Sequence, residues 1–253
     1  MGMVPLLITT VGCFHTVKPR VDVEADFAAG GFPHEILDGV LAANVRDGKV
    51  DYKGIQENRA ELDRYVAFLG EVSPTSDPAL FPTREDELAY WINAYNAIAI
   101  TAVIDRPGLK SVIDDKIDFF YATRYVVGGE KLDLYKLENG IVRPTYADPR
   151  VHFALNCQSG GCPVLPSSAF PAKGLEAFLD EQARLFCNNP DKVKIEGSVV
   201  KASQIFEWYK EDFEPAGGAL KFISKYRSDL PEGATLEYIP YDWTLIAVDG
   251  RGP

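Results

Sequence analysis

Apolar positions recur at helical spacing through the first half of the chain and give way to shorter runs later. Ile36, Leu37, Val40, Leu41 and Val45 predict an amphipathic helix over 35–45. Leu62, Tyr65, Val66 and Leu69 predict a second over 58–69. The longest signal covers 84–104, where Glu87, Trp91, Tyr95 and Ile98 share one face and Asn93 and Asn96 lie three apart on a neighbouring one. A segment apolar nearly all round is a buried helix. Thr83, with Asp86 three residues on, predicts its N-terminal cap. Two amides inside such a helix need partners, because an unpaired buried amide costs about 1–3 kcal/mol. Either they bond loop backbone and fix its path, or they orient a catalytic group or a substrate carbonyl.

Farther along, 125–134 predicts a hairpin around Gly128-Gly129, and 134–142 a short helix ending before Pro144. Val151, Phe153 and Leu155 alternate with His152, Ala154 and Asn156, which predicts a strand with one buried face. It runs into Gln158-Ser159-Gly160-Gly161, a turn. Helices are predicted at 174–187, 204–213 and 219–226, a hairpin at 193–200, and closing strands at 236–239 and 244–248. The pattern is α+β: a single domain over 33–253, its central buried helix packed on an antiparallel sheet, behind a signal or tether segment over 1–32.

Charge narrows the partners. The formal net charge is −11, and nucleic-acid binding needs clustered Lys and Arg instead. The most apolar run, 88–104, is interrupted by Asn93, Asn96 and Thr101 and reads as a core helix rather than a membrane span. Near the start, an apolar stretch over 4–12 ends in Thr10-Val11-Gly12-Cys13, which resembles a bacterial lipoprotein processing box, with Thr10 where Leu is usual and no basic residue ahead of it. It predicts export to the periplasm with lipidation of Cys13 and membrane attachment. The alternative is a cytoplasmic protein.

Four cysteines and three histidines carry the remaining chemistry. No CxxC pair exists and the histidines are scattered, poor material for a tetrahedral zinc site, so no metal or other cofactor is predicted. Thiol catalysis needs a thiolate, a base, and a group that orients the base. Cys157 and His152 supply the first two, though five residues along a straight strand would point them to opposite faces. A bend near Asn156 would bring them together. Glu87, Glu138, Asn93 and Asn96 are candidates to orient the imidazole, and the N–H groups of Gly160 and Gly161 to meet an oxyanion. Asn96, Asn156, Ser159 and Trp91 are candidates for substrate contact. A Cys157–Cys162 bridge would close a short loop, whereas a Cys162–Cys187 bridge would leave Cys157 free.

Several stretches carry a resemblance. They are Gly48-Lys49-Val50-Asp51-Tyr52; Arg84 with the Leu88-Ala89-Tyr90-Trp91-Ile92-Asn93 helix and Asn96; Leu134 with Glu138 and Arg143; His152-Phe153-Ala154-Leu155-Asn156-Cys157 with Ser159, Cys162 and Pro163; Ile205-Phe206 with Trp208-Tyr209 and Asp212-Phe213; and Tyr241-Asp242-Trp243. Together they resemble the bacterial type of domain-of-unknown-function family 547 across roughly 35–245, with Gly161 where that pattern often has Ser. The order of buried helix and His-bearing strand is similar to papain-like and transglutaminase-like folds, where the nucleophilic Cys opens the central helix and the His lies on a following strand. Here that helix offers Asn93. The resemblance implies either that Cys157 has taken over as nucleophile, or that the scaffold has become a non-catalytic ligand-binding or interaction domain. The catalytic alternative is a thiol hydrolase or acyltransferase acting on an amide or peptide bond of a small molecule or peptide.

Overall fold

The computed structural model describes residues 14–24, 27, 31–248, 250 and 252. Cys13 and the processing-box residues lie outside them. After a short strand, β1 (His15–Val17), come helix α1 (His34–Asn44), the two-residue pair β2 (Val45–Arg46) and β3 (Lys49–Val50), and helices α2 (Tyr52–Glu57) and α3 (Ala60–Glu71). Helix α4 (Arg84–Ile104) is the axis of the molecule, with every residue from Leu88 onward buried. Its start is set locally: Thr83 Oγ1 accepts the Asp86 N–H at 3.1 Å and the Asp86 carboxylate accepts the Thr83 N–H at 3.1 Å.

The predicted hairpin forms as β4 (Thr123–Val127) and β5 (Glu130–Leu132), with Tyr125 opposite Leu132. A π-helical turn over Lys136–Val142 leads into helix α5 (Arg143–Tyr146). The helix does not stop before Pro144, because that proline occupies the first turn of α5, where no N–H is needed. The later elements are α6 (Leu175–Asn188), β6 (Val193–Glu196), β7 (Val199–Ser203), α7 (Ile205–Trp208), α8 (Lys210–Phe213), α9 (Ala219–Tyr226) and β8 (Thr235–Ile239).

Four further expectations need correction. First, 151–156 is not a strand. Pro149–Phe153 is a 3-10 helix, opened by Asp148, whose carboxylate accepts the Arg150 N–H at 2.9 Å. All six residues of 151–156 are buried, so their alternation marks no face. Second, α4 does not rest on one antiparallel sheet. Its neighbours are largely helices, and the strands form three small sheets in which β1 pairs with β4, and β7 with β8, in parallel. Third, 244–248 makes isolated bridges to three separate segments, at Ser111, Ser159 and Val50, rather than a strand. Helix 204–213 is also broken, at Tyr209.

Apolar burial divides into two clusters. The larger surrounds α4; the smaller gathers Phe153, Val200, Phe206, Phe213 and Phe222. Helix α6 belongs to both, giving Leu175 and Leu179 to the first and Ala183 and Phe186 to the second. Residues 149–163 run along the seam between them. No helix among the described residues is long and apolar enough to cross a membrane.

Candidate functional site

Asn96 anchors that seam. Its Nδ2 donates to the Ala154 carbonyl at 3.0 Å and its Oδ1 accepts the Asn156 N–H at 2.8 Å. Asn156 then shapes the turn beyond it: Nδ2 donates to the Pro163 carbonyl at 2.7 Å, and Oδ1 accepts the Gln158 N–H at 2.7 Å. Gln158 is held at φ 69 as the chain reverses. The reversal brings Cys162 back onto Cys157, with the two sulfurs 2.8 Å apart and the Cys157 N–H donating to Cys162 Sγ at 3.1 Å.

The C-terminal segment straps this loop down. Gly160 N–H donates to the Thr244 carbonyl at 2.7 Å and Gly161 N–H to the Asp242 carbonyl at 2.6 Å. These N–H groups are thereby spent and do not form the expected oxyanion site. The glycines serve close approach instead, since a Cβ at 161 would sit 2.5 Å from the Tyr241 ring carbons. Ser159 Oγ lies 3.0 Å from Cys157 Sγ and donates to Tyr241 Oη at 3.2 Å, and Tyr241 donates to Cys162 Sγ at 3.2 Å. Buried Lys192 donates to the Gly160 carbonyl from behind.

The two thiols share this network unequally. Burial pushes the Cys162 thiol up, but hydrogen bonds from Cys157, Ser159 and Tyr241 outweigh it and bring it below the ordinary value. The Cys157 thiol is pushed up by its hydrogen bond to Cys162 and by burial. The two thiols therefore titrate as a coupled pair in which Cys162 is the more acidic sulfur and Cys157 the less acidic. Cys157 is the more exposed of the two.

Cys157 and His152 line the same cleft, a cavity of about 90 Å³ walled by Tyr95, Phe120, Trp208 and Tyr209 and bordered by Glu138. His152 reaches it because the 3-10 turn rotates residues that a straight strand would have opposed. Its Nε2 is 2.7 Å from Asp212 Oδ2, and its ring stacks on Tyr209 at 4.0 Å. Arg143 donates to both Asp212 oxygens, at 2.7 and 3.0 Å, and its guanidinium lies 4.6 Å from the Tyr209 ring centroid. Partial burial raises the Asp212 carboxyl, but the hydrogen bonds from His152 and Arg143 outweigh it and hold it well below the usual carboxylate range.

Of the other predicted residues, Ser159 and Asn156 belong to the cysteine loop, whereas Glu87, Asn93, Asn96 and Trp91 do not line the cleft. Glu87 accepts from Tyr146 Oη at 3.2 Å. Asn93 is occupied by both backbone groups of Phe170, at 2.9 and 2.8 Å. Trp91 is 3% exposed in the core. The imidazole is oriented by Asp212, which sequence reasoning did not select although it stood in a quoted motif; Tyr241 was missed in the same way. Glu138 is at the cleft, where Tyr95 Oη is 3.5 Å from its carboxylate. Among the described residues no group of three or more His, Cys, Asp or Glu is placed to hold a metal.

A central helix leading to a folded-back cysteine loop and a carboxylate-held histidine defines an α+β domain with a thiol site in its seam. Residues 80–187 of the chain match the family model described as "Protein of unknown function, DUF547". The match takes in α4, His152 and both site cysteines but stops before Asp212 and Tyr241. No curated protein and no solved structure matches the chain.

Proposed function

We propose that the protein is a thiol-dependent hydrolase or acyltransferase whose reacting atom is Cys157 Sγ, acting on an amide or peptide carbonyl. The observation that carries this reading is the placement of Cys157 and a carboxylate-held His152 on one aromatic cleft. With Nε2 committed to Asp212, Nδ1 is the nitrogen left for proton transfer. The Cys157 sulfur adds to the carbonyl carbon and forms a C–S bond. His152 takes the thiol proton and returns it to the leaving nitrogen as the C–N bond breaks; water or an acceptor amine or hydroxyl then releases the acyl group. In the resting arrangement Cys157 faces Cys162, Ser159 and Tyr241, so the reaction requires its side chain to turn toward the imidazole. The cavity admits a group of side-chain size, well below the roughly 300–1,000 Å³ of drug-sized sites.

The test is the pH profile of iodoacetamide labelling at Cys157 in wild type, His152→Ala and Asp212→Asn. Loss of His152 is expected to shift the profile upward and slow labelling near neutral pH. Superimposed profiles overturn the catalytic reading. They would favour a non-catalytic binding domain, a reading supported by the upward push on the Cys157 thiol from its hydrogen bond to Cys162 and from burial. Export with lipidation of Cys13 is a separate part of the proposal, tested by fatty-acid labelling of wild type against Cys13→Ala.

A further inference from the structure

We propose that Cys157 and Cys162 form a thiol–disulfide exchange pair that reduces a small aliphatic disulfide, with Cys157 attacking and Cys162 resolving. The pair goes beyond the acyl-transfer reading and depends on neither His152 nor a carbonyl. Three features of the loop argue for it. The sulfurs are 2.8 Å apart, so closing a bond of about 2.05 Å needs only a small side-chain rotation. The sulfurs differ in exposure: Cys157 meets the cleft, while Cys162 is 5% exposed and accepts from two donors, the Cys157 N–H and Tyr241 Oη. Finally, the loop is strapped by Thr244, Asp242 and Lys192, which holds the sulfurs together in the dithiol form. A core cysteine needs none of this, as Cys187 shows, fully buried in α6.

The chemistry balances within the pair. The Cys157 thiol gives its proton to Cys162 and attacks one sulfur of the substrate disulfide. That S–S bond breaks, and one half departs as thiolate. Cys162 then attacks Cys157 Sγ, losing its proton to the second half, which departs as thiol. The protein dithiol is oxidised by two electrons and the substrate reduced to two thiol groups, one still ionised. An external dithiol returns the pair to its starting state. The small cavity selects a substrate whose half fits the space of one side chain.

The probe is hydroxyethyl disulfide, added to the full-length protein near neutral pH and quenched in acid. Trypsin cuts after Arg150 and Lys173 and leaves both cysteines on one peptide, 151–173. In wild type that peptide is expected to lose two hydrogens, carry no adduct and be restored by dithiothreitol. Cys162→Ser should trap a mercaptoethanol adduct at Cys157 that persists at least about 100-fold longer than any in wild type, as expected when a pre-positioned intramolecular thiol is removed. The two readings fail separately, because exchange is read as the two hydrogens lost from peptide 151–173 in wild type, whereas acyl transfer is read as the shift of the Cys157 alkylation profile in His152→Ala. Wild type that keeps both thiols, or holds a stable adduct at Cys157, overturns the exchange pair; this arm decides even if Cys162→Ser does not fold.

Discussion

Asn96→Ala tests whether one amide sets the cysteine loop. Asn96 is 2% exposed and bonds both the Ala154 carbonyl and the Asn156 N–H, one residue before Cys157. Truncation leaves a buried C=O and a buried N–H without partners. Each orphan costs about 1–3 kcal/mol, so the two set a range of about 2–6 kcal/mol. A water entering the vacated space would bond both groups and bring the cost toward the lower end. The expected loss is about 3 kcal/mol in urea unfolding, as a lower midpoint with unchanged slope. Iodoacetamide labelling of Cys157 in the folded protein should also quicken, because the segment entering residue 157 loses its fixed point. A loss under about 1 kcal/mol with unaltered labelling would refute the reasoning, and the loop would have to be held by the C-terminal strap alone.

Trp91→Ala should cost about 3–5 kcal/mol as a large-to-small change in the core of α4, and a denaturant loss under about 1 kcal/mol would show that the core is elsewhere. Burial brings His34 down to about 4, Asp86 raising it only in part, and its Nδ1 lies 2.9 Å from Tyr65 Oη and 3.2 Å from Asn93 Nδ2, a setting that favours the neutral ring. With a folded pKa below the unfolded value of about 6.5, its contribution is complete above about pH 6.5 and is lost as pH falls toward 4, by at most (6.5 − 4) × 1.36, about 3.4 kcal/mol. His34→Phe should flatten that part of the stability profile; an unchanged slope would refute the assignment. Gly161→Ala places a Cβ 2.5 Å from the Tyr241 ring and should cost about 1–3 kcal/mol as overpacking. It should also raise the Cys162 thiol as the Tyr241 donor is displaced, read as slower labelling of Cys162 at pH 7.

Helix α4 was legible because its cap and its apolar run are both local: Thr83 and Asp86 lie three residues apart, and burial follows composition. The mundane role for Asn93 and Asn96, bonding loop backbone, is the one the structure shows. The segment 151–156 was not legible. Alternation implies a face only when one side meets solvent, and here both sides are buried in the seam of two cores. Cys157 and His152 could be picked out by residue type, yet the path that joins them depends on a 3-10 turn set by Asp148 and Pro149. Asp212 and Tyr241 lie 60 residues from His152 and 84 from Cys157. No spacing rule reaches that far; a shared cleft does.

The two proposed activities make opposite demands on Cys157. Acyl transfer needs its sulfur turned to His152 with the proton passing to the imidazole; exchange needs it turned to Cys162, the more acidic sulfur of the pair. Position at rest favours Cys162, at 2.8 Å and with the Cys157 N–H and Tyr241 Oη donating to it. The imidazole is nonetheless positioned at some cost, because Asp212 is engaged by both His152 and Arg143 and Tyr209 is stacked beneath the ring. A partly buried charged group of this kind, with His152 at its inner end, is destabilised if one member is removed, so Asp212→Asn alone cannot separate function from folding. Redox state can. Bridging Cys157 to Cys162 leaves His152, Asp212 and Arg143 in place and removes only the nucleophile. If the oxidised protein loses all acyl transfer and dithiothreitol restores it, both activities use one sulfur. If acyl transfer survives oxidation, Cys157 is not its nucleophile, whatever the histidine does.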